Sequence, residues 1–240
     1  MNVLAIGNSF SQDATRYLHQ IAKADKYDLQ VTNLYIGGCP LERHYRNMLS
    51  GARAYGLQYD GIETGFNVSL DEAIFNRHWD VITLQQVSHF SFKPETYEPY
   101  LSSLAAYVRK CAPSAKLYIH QTWSYEEGCR RLTEELKMTS AEMLAGIVKT
   151  YGEMARMIEA DGIIRSGEMM FSLSKLLGGG IHRDTYHATY GLGRYALGLL
   201  WYKTLTGASV LGNTFCDFDQ PIEDEKIALV KQYVETISTI

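Results

Sequence analysis

Three side chains in this sequence carry groups that together can transfer an acyl unit: Ser9, Asp184 and His187. Ser9 lies in Ile6-Gly7-Asn8-Ser9-Phe10, where the apolar run Val3–Ile6 gives way at once to a helical pattern. A hydroxyl at such a turn stands at a sheet rim, beside a helix N-terminus that stabilises negative charge. Serine is equally a preferred N-cap, a role that contributes about 1 kcal/mol, and Ser11 is a second residue able to cap. A serine hydroxyl becomes a nucleophile only with a base beside it. Of the seven histidines, His19 and His44 fall on helical patterns and His78 just precedes a strand. His89 and His120 lie near strand ends without an acidic neighbour. His187 follows Asp184 by three residues, in a glycine-preceded loop that leads into a helix. That spacing lets the carboxylate reach Nδ1–H and leaves Nε2 for the serine. The alternative is that Asp184 caps the helix and His187 is a polar first-turn residue.

Acyl transfer also needs donors for the oxyanion. The candidates are the N–H groups of Ser9 and Gly38 and the side-chain amide of Gln85 or Gln86. Alternation along a strand sends those two glutamines to opposite sides, so one of them points into the site. His89 and Trp123, with Phe90 and Tyr125, can form an aromatic wall suited to a sugar, or can be packing residues. His89 and Trp123 are the candidate substrate contacts.

These residues need a frame that brings them to one place. Met1–Gly7, Leu29–Ile36, Trp79–Gln85, Lys116–His120 and Gly162–Ile164 read as short buried strands. Helical patterns fall between and after them, at Gln12–Lys26, Leu41–Ala54, Leu70–Arg77, Pro94–Cys111, Thr139–Ala160, Ser166–Leu177, Ala188–Thr206 and Glu223–Ser238. Tyr55–Leu70, with Asp60-Gly61 and Thr64-Gly65, has the turn chemistry of a hairpin, and whether Tyr55–Gly65 forms a lid is left open by the sequence. Alternating strands and helices predict an α/β fold, a parallel sheet covered on both faces. Ligands in such sheets gather beyond the carboxyl ends of the strands. Ser9, Gly38, Gln85, Gln86 and Trp123 all lie just after predicted strands, and the Asp184–His187 loop follows the last one. No repeat or proline-rich linker divides the chain, so one domain over 1–240 is expected.

Composition narrows the function classes. The chain has 240 residues, a formal net charge of -4 and 46% hydrophobic residues. A nucleic-acid partner is not expected, for want of a basic footprint. A membrane span is not expected, because no apolar run reaches the roughly 18 residues that one requires. Cys39, Cys111, Cys129 and Cys216 form no Cys-x-x-Cys pair, and no Cys/His cluster has zinc spacing. Four free thiols in a reducing compartment are expected, and the start MNVLAIGNSF reads as a strand, so a cytoplasmic location is expected. No metal is expected.

Gly7-Asn8-Ser9-Phe10 resembles the first block of the SGNH/GDSL hydrolase superfamily, with Asn where Asp is commoner. Gly38 lies where the second-block glycine does, and Asp184-Thr185-Tyr186-His187 is similar to the last block, Asp-x-x-His. The Gly191–Gly207 segment is similar to a branch catalogued as a domain of unknown function. The third block departs: Leu84-Gln85-Gln86-Val87-Ser88 stands where Gly-x-Asn-Asp is usual. The resemblance implies a flavodoxin-like three-layer α/β/α fold with a five-stranded parallel sheet. It also implies hydrolysis of an ester through an acyl-enzyme, without a cofactor. The expected substrate is a small-molecule ester with a small acyl group, acetyl first, and an acylated carbohydrate is one candidate. Two rivals stand beside that reading: a flavodoxin-like anion-binding module, and a sugar-binding protein with a decayed triad. The pair Asp184 and His187 separates the first rival from a hydrolase, since an anion-binding loop does not need it.

Overall fold

The computed structural model of the chain describes residues 1–238. Five strands form the parallel part of the sheet: β1 (Asn2–Gly7), β2 (Gln30–Tyr35), β5 (Val81–Leu84), β6 (Lys116–His120) and β7 (Gly162–Ile164). Their spatial order is β2-β1-β5-β6-β7, and every neighbouring pair is parallel. The strands are short and apolar because both faces are covered. Val3, Leu4, Ala5 and Ile6 are each fully buried.

The sheet has seven strands rather than five. The predicted hairpin exists as β3 (Tyr55–Tyr59) and β4 (Ile62–Val68), and it extends the sheet beyond β2 with antiparallel pairing. Asp60 and Gly61 at its tip both have positive φ, 49° and 82°. Such a turn matches the twist of the flanking strands. The Asp60 carboxylate also accepts from the Val31 N–H at 2.8 Å, which pins the tip to β2. The segment is therefore an extension of the sheet and not a lid over Ser9.

Helices α3 (Leu41–Ser50), α4 (Leu70–Ile74) and α5 (Tyr100–Cys111) pack together on one face. The other layer holds α1 (Ser9–Thr15), α2 (Leu18–Ala24), α7 (Ser166–Leu176), α8 (Leu192–Thr206) and α9 (Asp224–Thr236). Helix α6 (Ser140–Met157) lies on β6 and β7 and meets α7 there. A Thr139/Glu142 capping box starts α6, as its sequence predicts.

One predicted helix is broken. Gln12–Lys26 divides into α1 and α2 at Arg16-Tyr17. Tertiary contacts hold the break: the Tyr17 hydroxyl donates to the Tyr190 carbonyl at 2.6 Å and accepts from the Asp219 N–H at 2.7 Å. Gly61 packs so closely on the Arg16 carbonyl that a Cβ there would lie 2.1 Å from its oxygen. Among the described residues no helix is long and apolar enough to cross a membrane.

Candidate active site

The chain passes from β1 to α1 with almost no loop, and Gly7 makes this possible. A Cβ on Gly7 would lie 2.4 Å from Gln85 Oε1 and 2.6 Å from Ser11 Oγ, so no larger residue fits. Neither serine is the cap. Asn8 caps α1: its Oδ1 accepts from the Phe10 N–H at 3.0 Å, and its Nδ2 donates to the Cys39 carbonyl at 3.2 Å. The Ser11 hydroxyl donates to the Asn8 carbonyl at 2.8 Å. Ser9 is thus left as the first helical residue, with its hydroxyl aimed outward.

That hydroxyl meets His187, 178 positions along the chain, with Ser9 Oγ and His187 Nε2 2.7 Å apart. On the other side of the ring, Nδ1 lies 2.7 Å from Asp184 Oδ2. The backbone N–H of His187 donates to Asp184 Oδ1 at 2.8 Å. Burial alone would raise the Asp184 carboxyl. The hydrogen bonds from the His187 side chain and backbone outweigh it and hold the group below the ordinary carboxylate value. An ionised Asp184 at neutral pH holds the Nδ1–H tautomer and leaves the Nε2 lone pair toward the serine.

A clamp joins these two stretches. Asp13, one turn after Ser9 on α1, is fully buried. Its carboxylate accepts from Arg183 at 2.9 and 3.0 Å, from Arg194 Nε at 2.8 Å and from the Ala188 N–H at 3.2 Å. Burial raises its carboxyl above the ordinary value, and the guanidiniums of Arg194 and Arg183 oppose that rise. Arg183 also donates to the Ala188 carbonyl, so both flanks of His187 are tied to α1. Sequence reasoning missed Asp13, Arg183 and Arg194. The available signal was an acidic residue on the apolar face of α1, between Phe10 and Tyr17.

Ser9 and His187 open into a cleft of about 260 Å³ whose lining includes Gly38, Val87, His89 and Arg131. Gly38 has φ +61°, a left-handed conformation that favours glycine. Together with Gly37 it is exposed on that lining. His89 lies on the lining, as expected. Its imidazolium is disfavoured first by partial burial and then by the cations of Lys93 and Arg131.

Three predicted site residues are elsewhere. Gln86 is a structural tie: Oε1 accepts from the Leu41 and Val87 N–H groups at 3.0 and 2.9 Å, and Nε2 donates to the Thr96 carbonyl at 3.1 Å and to its hydroxyl oxygen at 3.2 Å. Both amide hydrogens are used, which removes it from the oxyanion donors. Gln85 is buried against Gly7, off the cleft lining. Trp123 is also fully buried, at 4.0 Å between ring centroids from Phe10. Its indole N–H donates to the Tyr186 carbonyl at 2.7 Å, so it supports the histidine loop from behind and does not contact the cleft. Sequence reasoning also missed Arg131, on a π-type turn at Arg131–Leu136, whose guanidinium lies 4.3 Å over the Tyr186 ring.

Two fully buried histidines have structural partners. His120 Nε2 lies 2.9 Å from Ser166 Oγ, and burial pushes the imidazole down to about 3. His44 stacks on Tyr55 and is also driven down to about 3, by burial and then by Arg43.

A family model described as a domain of unknown function (DUF4886) matches residues 2–232. No curated protein matches the chain. Among solved structures, a DUF4886 family protein from Bacteroides uniformis ATCC 8492 aligns with a TM-score of 0.90 at 30% identity, covering 98% of this chain and 93% of that one. A candidate SGNH hydrolase from Slackia heliotrinireducens aligns with a TM-score of 0.61 at 21% identity, covering 85% of this chain and 98% of that one. A member of the lipolytic G-D-S-L family from Veillonella parvula DSM 2008 gives 0.51 at 11% identity, over 86% of this chain and 97% of that one. At those two identities the shared property is the fold, the one the motif blocks implied. The chain belongs to the DUF4886 family, a family of unknown function built on the SGNH hydrolase fold.

Proposed function

We propose that the protein is a serine esterase that hydrolyses a small acyl ester through an acyl-enzyme. The observation that carries this reading is the continuous pair of 2.7 Å contacts from Ser9 Oγ through His187 to Asp184. An anion-binding loop has no use for an imidazole held by a carboxylate in front of its serine. In the first half-reaction, His187 Nε2 takes the Ser9 proton as Oγ bonds to the acyl carbon. The carbonyl electron pair moves to its oxygen, which the N–H groups of Ser9 and Gly38 face. When the intermediate collapses, the alcohol leaves with the proton from His187. In the second half, His187 deprotonates water, which attacks the acyl carbon, and Ser9 leaves with the returned proton. Loss of one oxyanion donor costs about 10²–10³ in rate, which is the weight the Ser9 and Gly38 N–H groups carry in this scheme. The modest volume of the cleft is in keeping with a short acyl group such as acetyl, and an acylated carbohydrate is one candidate for the ester.

The test is covalent labelling with a fluorophosphonate, read by intact mass, alongside hydrolysis of p-nitrophenyl acetate. One adduct and ester turnover, both lost in Ser9→Ala, are expected. A folded protein that neither labels nor turns over the ester overturns the reading.

A further inference from the structure

The Ser9 cleft continues past its own rim. A second cavity, of about 300 Å³, adjoins it and shares His89 and Arg131 as lining. Its other walls are Lys93, Tyr125, Glu135 and Leu136. Two cations therefore face one hollow beside Ser9. Neither forms an ion pair among the described residues, although nearby charges do pair: Arg130 holds Glu134 at 2.7 Å. Glu135, the one carboxylate on the lining, is exposed. Both cations are held in place from below by aromatic faces. The Arg131 guanidinium lies 4.3 Å over Tyr186 and 5.7 Å over Tyr125, and Lys93 Nζ lies 5.5 Å over Phe90 and 5.4 Å over Phe92. Such stacking orients the charge without neutralising it, so Arg131 keeps its positive charge at the hollow.

We propose that this hollow is a subsite for an anionic group on the substrate, and that the enzyme acts on esters bearing a carboxylate, sulfate or phosphate beside the scissile bond. This rests on the esterase reading and adds a substrate class to it. Arg131 supplies a planar fork for two oxygens, and Lys93 supplies a point charge at the far wall. The anion can belong to the acyl part or to the alcohol part.

The two sources are separated by two ester pairs. For the acyl side, kcat/KM for mono-p-nitrophenyl glutarate is compared with that for p-nitrophenyl butyrate. For the alcohol side, 4-acetoxybenzenesulfonate is compared with phenyl acetate. Charge-assisted contacts predict a preference of about tenfold or more for the anionic member of one pair after correction for intrinsic reactivity. That ratio falls toward one in Arg131→Gln and partly in Lys93→Gln, and it shrinks in high salt. If neutral and anionic esters are turned over alike, or if Arg131→Gln lowers both members of each pair equally, Arg131 only props Tyr186 and the proposal is overturned while the esterase stands. If no ester is turned over at all, the esterase reading has failed. The subsite is then decided by titrating the wild-type protein with glutarate and with benzenesulfonate, followed by ligand-observed NMR. Binding of either that weakens in Arg131→Gln supports an anion site, and no binding of either removes it.

Discussion

Ser9 and His187 are held in opposite ways. Gly7–Thr15 is fixed locally: Asn8 caps the helix, Gln12 N–H donates to the Asn8 carbonyl at 3.0 Å, and the Ser11 and Thr15 hydroxyls bond back to carbonyls within four residues. Ile181–Ala188 contains no helix or strand, only an isolated antiparallel bridge between His182 and Ala188 and a hydrogen bond from the Arg183 N–H to the His187 carbonyl at 2.9 Å. It follows three glycines with φ of +67°, +102° and +74°, and Thr185 within it stands at φ +73°. A side chain in that conformation costs about 1 kcal/mol or more. Beyond its internal bonds, the loop is anchored by distant partners: Asp13, Trp123 and the Glu126 N–H, which donates to the Thr185 carbonyl at 2.7 Å. One half of the site is thus encoded by its neighbours in sequence, and the other half by the completed fold.

This contrast can be broken experimentally. Ser9→Ala and His187→Ala each lower kcat on the order of 10⁴-fold or more. Ser9→Ala leaves the thermal midpoint nearly unchanged, because among the described residues the only hydrogen-bond partner of Ser9 Oγ is His187. A large loss of stability in Ser9→Ala would show that the hydroxyl has a structural role. Asp13→Asn removes the buried carboxylate shared by the half-buried guanidiniums of Arg183 and Arg194, and breaking a pair with a buried member costs up to about 3–5 kcal/mol. Chemical denaturation checks the magnitude, and hydrogen exchange checks the location: protection falls at 182–188 before it falls at 9–15. Equal loosening of both stretches would erase the distinction. Asn8→Ala removes one cap and costs about 1 kcal/mol, with the effect confined to α1 and the Cys39 loop.

The smallest effect concerns pH. Asp184 has a folded pKa below its unfolded value. Its stabilising contribution is therefore complete above the ordinary value of about 3.9 and is lost as pH falls through the lowered folded value. Denaturation curves of wild type and Asp184→Asn should differ at pH 6, begin to converge below about pH 4, and meet only below the lowered folded value. A gap that persists in acid would mean that the carboxylate charge is not what holds the loop.

What was legible in the sequence follows the same division. Ser9, Gly38 and the Asp184–His187 spacing could be read because each depends on a few consecutive residues. The five parallel strands were legible as short buried runs, and the Asp60-Gly61 hairpin as turn chemistry. Its pairing with β2 was not, since edge pairing depends on which strand is left uncovered. Gln86 misled because its partners, Leu41 and Thr96, lie 45 and 10 positions away. Trp123 misled because a rim position does not say whether a ring faces solvent or supports a loop from behind. Arg131 was missed because a π-type turn has no 3.6-residue period to detect.

The span of 178 positions between Ser9 and His187 has a consequence for biosynthesis. The serine emerges from the ribosome long before its imidazole, and until the later segment has docked it is an alcohol of ordinary reactivity. A chain interrupted anywhere before His187 lacks the imidazole that meets Ser9 Oγ, so that contact forms only once the later segment has folded onto α1.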